Sequence, residues 1–319
     1  MIENNDIMIS VVIPLYNEEE SLLELSAQLE KELTILCGER WEVIFVDDGS
    51  RDNSYEVIKG IHYTNTKFKA IQFRKNLGKA AALQAGFNDA IGEYIATMDS
   101  DLQDDPAELQ NMLAKMNEGY DLVSGWKKVR HDPKLTKNLP SKLFNWATSK
   151  VAGVKLHDFN CGLKLYRKEV AKSLDVYGEM HRYLPAFANL AGFRVTETPV
   201  THHARKYGKS KYGLSRFING YLDLLTVIFT TKYSKSPLHF FGLIGTTISM
   251  IGFIIDLVLL IEWFMKLTAL SNRPIAYLGL GMIVIGIQFV SMGLIGEWIL
   301  KSNIKQHKND LVIKEKLRD

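Results

Sequence analysis

The residues best suited to chemistry lie between Thr97 and Pro106, where Asp99, Ser100, Asp101, Gln103, Asp104 and Asp105 follow an apolar run. Oxygen ligands as closely spaced as Asp99, Asp101 and Gln103 suit Mg2+ or Mn2+, which keep coordination positions for waters and substrate phosphates. A helix cap needs only one acid, and this segment has four within seven residues, so the pattern favours a metal bound with a diphosphate over a simple cap. A second acidic group, Asp47-Asp48-Gly49-Ser50, reads by itself as an ordinary turn. Arg74 and Lys79 point to the same edge, where either could meet a diphosphate.

Positioning these groups requires strands that end where they begin. Met8 to Leu15, Glu42 to Val46, Lys69 to Phe73 and Tyr94 to Met98 are short apolar runs, the first rich in β-branched residues, and suit buried parallel strands. Helical spacing follows the first run, with Leu22, Leu25, Leu29, Leu33 and Leu36. Asn17 is placed to cap that helix, with Glu20 three residues on, and Asp105 to cap one whose first residue is Pro106. Further helices are expected from about Ser54 and from Ala80 to Ala90. Alternating strands and helices with short links point to one parallel sheet of Rossmann type, with the acids at its carboxyl edge.

The chain has 319 residues, enough for an α/β domain and something further. A net charge of +3 is too small to argue for nucleic acid, while the basic tail from Lys301 suits a membrane surface. Cys37 and Cys161 are too few for a zinc site or disulfide framework and read as reduced thiols. Glu3 and Asp6 at the start are unlike the basic leader of a signal peptide.

Ile275 to Gly296 is twenty-two residues without a charge, and Phe240 to Ile261 is similarly apolar apart from Asp256. Both are expected to span a bilayer, joined by a short outside hairpin, with the basic flanks inside. Gly242, Gly245, Gly281 and Gly286 would permit close helix packing and a homo-oligomer. Ahead of the pair, Leu214, Phe217, Ile218, Tyr221, Leu225 and Ile228 share one helical face, suiting an interface helix or packing on the catalytic part. The expected organisation is a cytosolic catalytic domain over 1–211, a juxtamembrane helix over 212–236, two membrane helices within 237–300 (about 238–265 and 275–298) and a basic tail over 301–319.

Val11-Val12-Ile13-Pro14-Leu15-Tyr16-Asn17-Glu18-Glu19, Asp47-Asp48-Gly49-Ser50 and Asp99-Ser100-Asp101-Leu102-Gln103-Asp104-Asp105-Pro106, in that order, resemble the GT-A fold, family 2 glycosyltransferases. With the two apolar segments, the layout resembles the polyprenyl-phosphate glycosyltransferases, relatives of dolichol-phosphate mannose synthase, over nearly the whole chain. The resemblance implies a mixed, mostly parallel sheet with helices on both faces. It also implies transfer of one sugar from a nucleotide diphosphate sugar, with UDP-glucose the favoured kind, to a polyprenyl phosphate such as undecaprenyl phosphate. An enzyme of this kind would sit in the inner membrane with its catalytic domain and both termini cytoplasmic.

By the same likeness Pro14, Tyr16 and Glu18 line the base and ribose, and Asp48 with Asp47 hydrogen-bonds the base. Lys79, Asp99, Ser100, Asp101 and Arg182 complete the donor set, and Mg2+ or Mn2+ would be held by Asp101 and Gln103 with Asp99 close by. The acceptor is a phosphate monoester that needs fixed cations more than a strong base. Lys127, Arg130, Lys142, Arg205 and Lys209 are the candidates, against the plainer reading of basic residues drawn to anionic lipid. Lys127 and Lys164 stand where relatives often carry Arg. Asp158 resembles the family's candidate base, while His202 and His203 read as structural. Two other activities compete, a GDP-mannose-dependent mannose synthase and a non-catalytic nucleotide-sugar-binding membrane protein. A processive synthase would need more membrane helices and a Gln-x-x-Arg-Trp segment, which this chain lacks.

Overall fold

The computed structural model describes residues 7–128, 148–149, 153–176, 178, 180–204, 206, 236–265 and 273–306. Its elements, numbered as described, are β1 (Ile9–Leu15), α1 (Leu22–Cys37), β2 (Trp41–Asp47), α2 (Ser54–Thr64), β3 (Phe68–Gln72), α3 (Lys79–Asp89), β4 (Tyr94–Thr97), α4 (Glu108–Asn117) and β5 (Leu122–Lys127). They continue with β6 (Lys164–Arg167), α5 (Lys168–Ser173), a 3-10 turn (Met180–Arg182), α6 (Leu184–Leu190) and β7 (Val195–Val200). Two long helices close the series, α7 (Pro237–Phe264) and α8 (Pro274–Gln306). The chain divides into two compact units, Met1–Val227 and Ile228–Asp319.

In the first unit the seven strands form one sheet in the order β3-β2-β1-β4-β6-β5-β7. The four strands expected from the sequence pair in parallel, with Val11 opposite both Val43 and Ala96. The middle region, irregular in sequence, adds three short strands, and β6 runs antiparallel to both β4 and β5. The sheet is therefore mixed and mostly parallel rather than wholly parallel. The reversal brings Lys164, the first residue of β6, opposite Thr97, the last of β4.

Alternation along β1 explains the two cores. Ile9, Val11, Ile13 and Leu15 face α1, α2 and α4, where Leu25, Leu29, Ile58 and Met112 are buried. Val12 faces the other side with Ala82, Leu83 and Phe87 of α3 and Leu184 of α6. Helices thus cover both faces. All strands but β6 finish at one edge, β6 starts there, and the order in which strands are laid down reverses between β1 and β4. That is the topological switch point at which open α/β sheets bind ligands.

In the second unit α7 and α8 are long and apolar enough to cross a membrane, with mean hydropathy 2.3 and 2.1. A Cβ at Gly245 would lie 2.5 Å from the Gly286 carbonyl oxygen, and one at Gly252 the same distance from that of Gly279. Gly245 and Gly286 therefore let these two helices touch each other, whereas Gly281 faces open space. Asp256 packs against Gly279. The expected interface helix, together with Arg130, Lys142, Arg205 and Lys209, lies outside the described residues.

Candidate active site

At the ends of β1 and β2, two loops are laced together. Asn17 adopts φ 54°, its backbone N–H donates to Ser50 Oγ (2.9 Å), and its Oδ1 accepts from the Arg51 N–H (2.8 Å). It ties the loops and does not cap α1, which starts at Leu22, because its side chain is already engaged across the site. The Glu18 N–H donates to Ser54 Oγ and Glu19 Oε2 accepts from the Asn53 N–H. Gly49 turns at φ 71°, and a Cβ there would sit 2.6 Å from the Lys75 carbonyl carbon.

Asp47 and Asp48 are buried. Asp47 Oδ1 accepts from the Ser50 N–H and its Oδ2 from Gln72 Nε2. Asp48 accepts from the Leu77 and Gly78 N–H groups at 2.7 and 2.9 Å, fixing the approach to α3. Burial raises the Asp48 carboxyl above its ordinary range against the pull of those two donors.

Beyond β4, Asp99 forms an ion pair with Lys79, the first residue of α3. Burial opposes the charge on Asp99, but Lys79, Lys127 and Lys164 outweigh it and hold the carboxyl well below its usual value. A Cβ on Gly162 would lie 2.6 Å from the Asp99 carboxyl carbon, so this approach requires glycine. Thr97 Oγ1 donates to the Gly162 carbonyl at 2.8 Å, pinning the entry to β6 against the end of β4.

The turn that follows is strained at its centre, with Leu102 at φ 60°. It lets Asp101 Oδ1 accept from the Gln103 N–H at 3.2 Å, while Gln103 Nε2 donates to the His203 carbonyl (3.4 Å). These hard oxygens fit Mg2+ or Mn2+. Among the described residues no group of three or more His, Cys, Asp or Glu is set to hold a metal. Asp101 and Gln103 would thus supply only part of an ion's shell, the usual situation for an ion shared with substrate phosphates. Asp105 Oδ1 accepts from the Ala107 N–H, so it caps a turn, and α4 begins at Glu108 instead of Pro106.

The segment after β7 docks on this turn. The His203 N–H donates to the Gln103 carbonyl at 2.9 Å, and Asp104 bridges to His202. Asp104 is fully buried, with Lys127 Nζ at 3.0 Å and His202 Nδ1 at 3.8 Å. Burial again works against the charge, and His202 and Lys127 overcome it, lowering the Asp104 value. Lys127 is raised in turn, Asp104 prevailing over desolvation. That pair holds its ammonium against the turn.

Pro14, Lys79, Asp99 and Arg182, expected from sequence to share a ligand, line one pocket that opens to solvent. Asn160, Lys164, Tyr166 and His181 line it too. Burial pulls the Lys164 ammonium below its ordinary value, and its Nζ donates to the Cys161 carbonyl. Asp158, 1% exposed, accepts from the Asn160 N–H at 3.0 Å and so shapes the loop entering the pocket. Ser100 is buried. The sequence gives neither Tyr166 nor His181 a role of its own. Tyr166 ends the segment from His157 that holds Asp158, and only the pairing of β6 with β4 brings it beside Asp99's strand.

Residues 10–175 match the family described as glycosyl transferase family 2. A dodecaprenyl-phosphate galacturonate synthase of Rhizobium johnstonii is 36% identical over 92% of this chain and 88% of its own. An undecaprenyl-phosphate 4-deoxy-4-formamido-L-arabinose transferase of Salmonella paratyphi B is 35% identical over 91% and 88%. Among solved structures, glucosyl-3-phosphoglycerate synthase from Mycobacterium tuberculosis with Mn2+, UDP-glucose and phosphoglyceric acid superposes with a TM-score of 0.54 at 16% identity, covering 70% of this chain and 79% of that one. Mannosyl-3-phosphoglycerate synthase from Rubrobacter xylanophilus gives 0.55 at 15% identity, covering 71% and 75%. At such identities the likeness concerns the fold.

Proposed function

The chain belongs to glycosyl transferase family 2, and from that premise we propose that it moves a single sugar from a UDP-sugar, such as UDP-glucose, to undecaprenyl phosphate with inversion. The observation that carries this reading is the convergence of Pro14, Lys79, Asp99 and Arg182 on one pocket at the switch point of the sheet. Relatives matching nine-tenths of the chain carry polyprenyl-phosphate acceptors in their names, and two apolar helices suit an enzyme whose acceptor arrives in lipid. The same features favour the inner membrane, with the catalytic domain facing the cytoplasm.

In the mechanism, Lys79, Lys164 and Arg182 present fixed positive charge to the anionic donor and develop no charge of their own during the reaction. A Mg2+ or Mn2+ ion held by Asp101 and Gln103 would neutralise the diphosphate and improve it as a leaving group. The laced loops holding Tyr16, Glu18, Asp47 and Asp48 form the wall where the nucleotide binds, Asp47 and Asp48 acting through the turns they fix. Asp158 orients or deprotonates the acceptor phosphate while the nucleotide leaves from the opposite face. Lys127, with Arg130, Lys142, Arg205 and Lys209, supplies the cations that meet the acceptor phosphate, Lys127 being positioned by its pair with Asp104.

The test is to incubate the purified full chain and Mg2+ or Mn2+ with undecaprenyl phosphate and a panel of UDP- and GDP-sugars, following glycolipid by mass. A glycolipid formed from a UDP-sugar is expected. Product from GDP-mannose alone overturns the donor assignment, and tight nucleotide-sugar binding without product overturns catalysis.

A further inference from the structure

His181 Nδ1, in the pocket lining, is buried without a hydrogen-bond partner, and the Tyr166 hydroxyl, also buried in the lining, has the Thr97 side chain beside it. Native structures satisfy nearly all buried polar atoms, so an orphan that faces a pocket asks for a ligand atom. They reach this place from different elements, His181 from the 3-10 turn before α6 and Tyr166 from β6. The same pocket is lined by Pro14, Leu83, Met98 and Leu184.

We propose that His181 and Tyr166 recognise the transferred sugar, each exchanging a hydrogen bond with one of its hydroxyls. This rests on the nucleotide-sugar reading above and assigns the part of the donor those two residues meet. The chemistry separates sugar from diphosphate. Lys79, Lys164 and Arg182 already supply the pocket's positive charge, and burial together with those cations pulls His181 down to about 3. At neutral pH the ring is uncharged, with one donor and one acceptor, which is the complement of a hydroxyl and a poor complement of a phosphate. A phenol has the same dual character. A lining that sets Pro14, Leu83, Met98 and Leu184 beside polar side chains suits a sugar ring, apolar on its faces and polar at its rim.

Isothermal titration of the full chain in detergent with Mn2+ tests this, using UDP, UDP-glucose and UDP-galacturonic acid against wild type, Tyr166→Phe, His181→Ala and His181→Asn. Tyr166→Phe keeps the ring that packs on Phe87 at 5.4 Å and guards against loss of fold. The expected result is unchanged UDP affinity in every variant, with at least one UDP-sugar weakened about tenfold in Tyr166→Phe and His181→Ala and partly restored in His181→Asn, as one lost hydrogen bond implies. Equal weakening of UDP and UDP-sugars assigns the pair to the phosphates or to structure and overturns the proposal, as does no change at all. If wild type binds neither UDP nor a UDP-sugar, the nucleotide-sugar reading itself falls.

Discussion

Lys127 Nζ lies 3.0 Å from Asp104 Oδ1, and Asp104 is fully buried beneath the turn that carries Asp101 and Gln103. Lys127 therefore also supports the proposed metal turn. Lys127→Met strands a buried carboxylate and is expected to destabilise the protein by about 3–5 kcal/mol, with the double variant Lys127→Met/Asp104→Asn recovering most of the loss. Chemical unfolding of the three variants checks this. Equal stability of Lys127→Met and wild type would mean the pair is incidental.

Gly162→Ala puts a methyl group 2.6 Å from the Asp99 carboxyl carbon. Displacing Asp99 from Lys79 should lower turnover by about 10²-fold, the scale of a misplaced active-site group. The stability loss from overpacking should be only about 1–3 kcal/mol. Steady-state rates beside thermal melts distinguish the two effects.

Lys164 is buried and its ammonium is held below its ordinary value by desolvation. Lys164→Met removes that burden, so stability should hold or rise. Turnover should fall roughly 10–100-fold as a charge-assisted contact to the donor is lost. A variant both less stable and fully active contradicts the assignment.

Asp158→Asn preserves the acceptor oxygen for the Asn160 N–H but removes the charge. The expected outcome is a kcat lower by about 10²–10⁴-fold with little change in donor affinity. An unaffected rate excludes Asp158 from the reaction.

Asp99 and Asp104 are both held below the unfolded carboxyl value of about 3.9. Below that value the unfolded chain binds protons that the folded chain refuses. The stability these groups confer is therefore full above about pH 4 and lost as pH falls toward their folded values. Urea midpoints at pH 7, 4 and 3 should drop at the acid end, and Asp104→Asn should flatten the drop. An equally steep fall in that variant would remove Asp104 from the effect.

Local spacing was enough to read β1 to β4, α1 to α3 and the two apolar helices, because burial on one or both faces leaves a period in the residues themselves. It also placed Asp48 and Asp99 at strand ends, since turn acids directly follow those apolar runs. Helix starts at Asn17 and Asp105 were misplaced, because each side chain bonds to a loop backbone N–H, that of Arg51 or Ala107, in place of a helix. What only the tertiary structure decided is who faces Asp99. Thr97 pairs with Lys164, and Gly162, Tyr166 and His181 come to the same pocket, through an antiparallel register set by chain more than sixty residues away. Strand register across such a separation depends on which faces bury best together, and no local period records it.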